Sequence, residues 1–138
     1  DAVVEIWQAD ADGSFAAPMG PHSNSAPAFS GWGRQPTQAD GSFTFETIKP
    51  GRVQGPDGKL MAPHVSLWIV ARGINIGLQT RLYFGDEADA NAGDFVLNKI
   101  MDPRRRETLI ARREDGPVPR YGLDIHLQGD RETVFFDI

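Results

Sequence analysis

His64-Val65-Ser66-Leu67-Trp68-Ile69-Val70-Ala71 is the most strongly apolar run in this 138-residue chain. It follows Pro63 and is broken by Gly73, so it predicts a central strand bounded by turn residues. Strand signals continue on both sides of it. Residues 79–84 form the next predicted strand. Residues 43–47 alternate Phe43 and Phe45 with Thr44 and Glu46, as a half-buried strand does. Residues 3–9, Val-Val-Glu-Ile-Trp-Gln-Ala, are rich in β-branched and aromatic side chains. Further on, residues 109–111 and 133–137 read as strands. Residues 121–127 show the cleanest alternation, with Tyr121, Leu123, Ile125 and Leu127 on one face and Asp124 and His126 on the other.

Turn chemistry separates these runs. Ala-Asp-Gly-Ser-Phe occurs at residues 11–15 and again at residues 39–43, and Asp-Gly predicts a tight turn in each. The flanks differ, so the echo is repeated turn chemistry and not a structural repeat. Residues 17–38 and 52–63 read as loops. A loop as long as residues 17–38 in a compact domain points to function or to a partner. Two short helices are predicted. One is capped by Gly85-Asp86-Glu87 and runs to Ala92. The other is capped by Asp94 and covers Phe95, Leu97 and Ile100, with Pro103 beyond its end. The expected fold is all-β, an antiparallel β-sandwich with two short helices and long loops.

Composition narrows the function classes. The length suits one domain spanning residues 1–138. Fourteen basic and nineteen acidic residues give a net charge of −5, which offers no electrostatic footprint for nucleic acid or an anionic membrane. No stretch approaches the ~18 apolar residues of a membrane span. No cysteine is present, so disulfides, thiolate metal sites and cysteine nucleophiles are excluded. The chain opens within a strand-like segment, with the expectation that the natural polypeptide extends further toward its N-terminus.

Local motifs for chemistry are sparse. His22, His64 and His126 show no HxH or HxxxH spacing, so no metal site is predicted from neighbouring ligands. His126 reads as a solvated strand residue, and His64 as a core histidine. There is no GxSxG, P-loop or GxGxxG motif. Arg104-Arg105-Arg106 lies near Asp102, Glu107 and Glu114 and is expected to form surface or interface ion pairs. Arg72 leaves the end of the central strand just before Gly73. Two readings of it stay open on the residues alone: a rim arginine paired with an acid, or a guanidinium fork for a carboxylate. Trp7, Trp32 and Trp68 suggest a binding module for a carbohydrate or protein, but their scatter over different strands and loops argues against one platform.

Several blocks together resemble the intradiol ring-cleavage dioxygenases. They are Val4-Glu5-Ile6-Trp7-Gln8-Ala9-Asp10 with Asp12-Gly13, Thr47-Ile48-Lys49-Pro50-Gly51, Ala62-Pro63-His64-Val65-Ser66 and Leu82-Tyr83-Phe84-Gly85-Asp86. Finer features, among them residues 71–76, 105–111 and 132–137, resemble the α-type chain of the family's two-chain members. The resemblance runs from about Val3 to the C-terminus. It implies O₂-dependent cleavage of 3,4-dihydroxybenzoate by a cytoplasmic hetero-oligomer of α and β chains. The cofactor implied is Fe³⁺, held by two tyrosinates and two histidines of the partner β chain. Carried onto this sequence, those ligand positions fall on Phe15, near Val53, on His64 and on Ser66. Three of the four ligands are thus absent, Phe and Val having no donor and serine being a poor substitute for imidazole, so no metal is expected in this chain. Met61 and Arg81 fall where the β chain has an arginine and a glutamine beside the metal. Arg72 falls on the α-type arginine that lies near bound substrate. Two alternatives remain beside this reading. One is a purely structural subunit. The other, an active single-chain enzyme, is opposed by the missing tyrosines.

Overall fold

The computed structural model describes residues 2–15, 30–73 and 76–136. Six strands form one sheet: β1 (Ala2–Trp7), β2 (Trp32–Pro36), β3 (His64–Ala71), β4 (Leu78–Phe84), β5 (Ile110–Glu114) and β6 (Arg120–Gly122). Their order across the sheet is β2-β1-β3-β4-β5-β6. The predicted central strand is central, paired with β1 on one side and β4 on the other. The all-β expectation holds. The sheet is mixed, however, because β4 and β5 run parallel while the other pairs are antiparallel.

Alternation decides which side chains make the core. Val65, Leu67 and Ile69 of β3 point to one face and pack with Val4 and Ile6 of β1 and with Phe84. Phe43, Phe45, Tyr121, Ile125 and Phe135 cover this cluster as a second layer. That layer is made largely of extended chain without ladder pairing among the described residues. Residues 43–47 show the predicted alternation in burial yet belong to no strand, and β6 ends at Gly122. Leu127, predicted to face the core, is exposed. Residues 133–136 pair with β4 only as the isolated bridge of Gln79 with Phe136 among the described residues, and the Thr80 hydroxyl donates to the Val134 carbonyl at 2.7 Å. Side-chain burial needs only a period of two, whereas a strand also needs a neighbour for its backbone groups.

Other boundaries also shift. The predicted loop 17–38 contains β2, which pairs along the whole of β1 from Trp7–Trp32 to Val3–Pro36. Two α-helices are short, α1 (Ala88–Ala92) and α2 (Pro103–Glu107). Pro103 therefore starts a helix. Asp102 caps it by accepting from the Arg104 N–H at 2.9 Å, and proline suits its first position. Asp94 does act as a cap, but the helix expected over Phe95, Leu97 and Ile100 is only a short 3-10 turn. Its Oδ1 accepts from the N–H groups of Val96 and Leu97, each at 2.9 Å, ahead of the 3-10 turn Leu97–Lys99. Both Asp-Gly turns form. Gly13 has φ 85° and sits against the Arg52 backbone, so a Cβ there has neither the conformation nor the space.

Candidate functional site

Opposite the core face, the sheet carries a row of polar and aromatic side chains. Register sets it. Trp32 pairs with Trp7, Trp7 with Ser66, and Ser66 with Arg81, so one row crosses β2, β1, β3 and β4. His64 and Tyr83 form the adjacent pair at the end of the sheet. Directly opposed residues share a face, so these six side chains look the same way. Glu5 and Trp68 form the next same-face pair along β1 and β3. The three tryptophans, read as scattered in the sequence, therefore share one face. They are exposed at 44% (Trp7), 53% (Trp32) and 38% (Trp68).

Of the four positions expected to match the ligand sites, His64 and Ser66 lie in this row, Phe15 packs on it, and Val53 is tied by its backbone to Met61, which reaches Arg81. Phe15 stacks on Trp7, with ring centroids 6.2 Å apart and planes within 10°. Val53 accepts the Met61 N–H at its carbonyl, at 2.7 Å. Met61 in turn places its Sδ 3.6 Å from Arg81 Nη1. Ser66 opposes Arg81, and His64 opposes Tyr83 with ring centroids 5.6 Å apart. Arg81 thus stands beside Ser66, Met61 and Tyr83.

A buried polar chain supports it. Arg81 Nη1 donates to the Tyr83 hydroxyl at 3.2 Å, and that hydroxyl donates to Asp94 Oδ1 at 3.1 Å. Asp94 is 0% exposed, and its Oδ2 accepts from the Ala62 N–H at 2.8 Å. Burial pushes the Tyr83 phenol well above its ordinary value, so it stays protonated and can donate. His64 Nδ1 lies 2.9 Å from the Ala62 carbonyl. A carbonyl only accepts, so the proton sits on Nδ1 and the lone pair on Nε2. Burial, and then the charge of Arg81, hold the His64 imidazole below its ordinary value. Sequence reading found Asp94 as a cap and Arg81 as a neighbour, but missed Tyr83 and the bond from Ala62.

Arg72 lies elsewhere. It is exposed in the turn that leaves β3, just before Gly73 at φ 85°. Seven residues of β3 lie between it and His64, about 26 Å along the extended chain. The structure puts His64 and Ser66 on one face of β3 with Phe15 stacked on neighbouring Trp7, and leaves Arg72 at the other end of the strand. Of the three consecutive arginines, Arg106 holds the Ile100 carbonyl at 2.6 Å and Arg105 reaches Glu132 at 4.0 Å. The run does form a surface ion pair as expected, but with Glu132; of the acids near it in sequence, the Asp102 carboxylate accepts only the Arg104 backbone N–H, and no ion pair to Glu107 or Glu114 occurs among the described residues. His22 lies outside the described residues.

A family model described as Dioxygenase matches residues 1–129. The chain is 51% identical over 140 residues to a protocatechuate 3,4-dioxygenase alpha chain from Pseudomonas putida, covering 99% of this chain and 67% of that protein. The chain belongs to the intradiol dioxygenase family. A second alpha chain of that name, from Burkholderia cepacia, is 41% identical over 142 residues, covering 100% of this chain and 68% of the relative. The beta chain from Burkholderia cepacia is 32% identical over 141 residues, covering 100% of this chain and 56% of its own length.

Intradiol dioxygenase chemistry implies iron, and the donor set can be tested against it. Phe15 and Val53 have no lone pair to give. Ser66 offers a neutral hydroxyl, a poor substitute for imidazole on a transition metal. His64 alone has a suitable donor, and a guanidinium stands beside it. These residues do not fit a ferric ion. Among the described residues no group of three or more His, Asp or Glu could hold a metal. No helix is long and apolar enough to cross a membrane, again among the described residues.

The lowered His64 value sets a pH dependence. At pH above 6.5, the ordinary histidine value, the imidazole is neutral in folded and unfolded chains alike. As pH falls below that value, the unfolded chain takes up the proton first, so stability declines until the folded-state value is passed. Urea midpoints should therefore fall on acidification below about pH 6.5, and His64→Gln should flatten that slope. An unchanged slope in the variant would assign the effect to other groups.

Proposed function

We propose that this chain is the alpha subunit of a protocatechuate 3,4-dioxygenase and works with a beta chain that holds the ferric iron. The observation that carries this reading is the 51% identity to an alpha chain over 99% of the sequence. The donor set around His64, unable to hold iron itself, supports it. The reaction inserts both atoms of O₂ between the hydroxyl-bearing carbons of 3,4-dihydroxybenzoate and yields 3-carboxy-cis,cis-muconate. This chain acts as a single domain, in the cytoplasm, within a higher αβ oligomer.

Its own contribution is one wall of the pocket and the Arg72 guanidinium. A guanidinium matches a carboxylate with two parallel N–H donors, and protocatechuate carries a carboxylate away from its hydroxyls. The roughly 26 Å between Arg72 and His64 supports a division of labour. Arg72 serves a centre on the partner and not the His64 site of its own chain.

Metal content and protocatechuate-dependent O₂ uptake test the proposal. The chain alone is expected to hold no iron and consume no O₂. Co-expression with a beta chain should bring both. Iron and turnover from this chain alone would overturn the reading.

A second reading is a binding or purely structural module, favoured by Trp7, Trp32 and Trp68 lying exposed on one face. Carbohydrate binding by the chain alone would favour it. Shielding of those tryptophans from acrylamide by the beta chain alone would favour the subunit.

A further inference from the structure

The donor set explains why this chain cannot hold a metal. It does not explain what the position of Arg81 does. We infer that Arg81 is the resident cation of the His64 site and keeps divalent and trivalent metal ions out of it even when ligands are supplied. The inference rests on the alpha-subunit reading, in which the metal belongs to the partner.

Three observations carry it. First, Arg81 opposes Ser66 on the same sheet face, next to the His64–Tyr83 pair, so its charge stands beside both imidazole and hydroxyl. Second, it is held there. Nη1 is bonded to the Tyr83 hydroxyl at 3.2 Å and approaches Met61 Sδ at 3.6 Å. Third, the only buried carboxylate of the network is already committed. Asp94 accepts from the Ala62, Val96 and Leu97 N–H groups and from Tyr83. It balances Arg81 through the Tyr83 hydroxyl and is closed to any incoming cation. A metal ion here would meet a fixed positive charge, and among the described residues no group of three or more His, Asp or Glu stands ready to offset it; repulsion between like charges is strong where bulk water is displaced.

The test builds ligands and then varies the charge. Ser66→His sets a second imidazole two residues from His64 on one strand face, and His64 already has its Nε2 lone pair available. Zn²⁺ is titrated calorimetrically into the full chain carrying Ser66→His. The same titration is run with Arg81→Gln added, and again with Arg81→Lys. Zn²⁺ should bind the Gln double variant at least tenfold more tightly than either charged form. Equal affinity in all three, or no binding in any, would overturn the inference. Arg81→Met, uncharged and of similar length, repeats the comparison should the Gln variant fail to fold. Iron content of the unaltered chain is measured alongside. Iron there would sink the alpha-subunit reading and leave the Zn²⁺ comparison to judge Arg81 separately.

Discussion

Asp94→Ala is expected to lower the unfolding free energy by about 4 kcal/mol. The residue is fully buried, and four groups donate to its carboxylate: the N–H groups of Ala62, Val96 and Leu97 and the Tyr83 hydroxyl. Truncation leaves these donors without a partner in a site where water does not reach. Ala62, Tyr83 and Leu97 belong to one buried cluster with Leu109. Their polar groups would therefore be stranded in the packing that joins β4 to the 3-10 turn. The variant also takes away the negative charge that balances Arg81. Asp94→Asn keeps one acceptor oxygen but sets an amide against donors, so its loss should be about half as large. Urea unfolding of the full chain measures both. A loss below about 1 kcal/mol for Asp94→Ala would mean that the network is incidental to stability.

Arg72→Ala, in the assembled αβ enzyme, is expected to raise the KM for protocatechuate about 10- to 100-fold. That corresponds to about 1.5–3 kcal/mol for a charge-assisted contact. Plain catechol has no carboxylate, so its KM should change far less. The split between substrates makes the test specific. A guanidinium that only stabilised the turn would affect both equally, and equal losses would remove Arg72 from the substrate site. Arg72→Lys keeps the charge but not the two-pronged geometry, so it should fall between. The turn supports such a role. Gly73 takes a conformation open to glycine and costly for other residues, which fixes the direction in which the chain leaves β3. kcat should change less than KM, because the carboxylate is bound alike before and during reaction.

Local pattern carried much of the fold. A strong apolar run bounded by Pro63 and Gly73 was enough to place β3 at the centre of the sheet. Asp-Gly was enough to mark two turns, and Asp94 was legible as a cap, because each of these depends on residues a few positions apart. The motif blocks likewise pointed to the family without any structure. The unfit ligand set at Phe15, Val53 and Ser66 could be read from residue type alone, since neither phenyl nor isopropyl has a lone pair and a serine hydroxyl is a poor substitute for imidazole.

Long-range pairing had to settle the rest. β2 was invisible because Trp32-Gly33-Arg34-Gln35-Pro36 has no strong strand pattern, and it becomes a strand only against β1. Residues 43–47 and 123–127 had the pattern but have no ladder partner among the described residues, so Phe43, Phe45 and Ile125 cover the core without their segments becoming strands. Trp7, Trp32 and Trp68 looked scattered because their spacing along the chain is irregular. Cross-strand register places them on one face. The Ala62–Asp94 bond spans 32 residues, and no local period reports a contact of that range. Side-chain periodicity is written into neighbouring residues, whereas register and buried polar contacts arise only when distant segments meet.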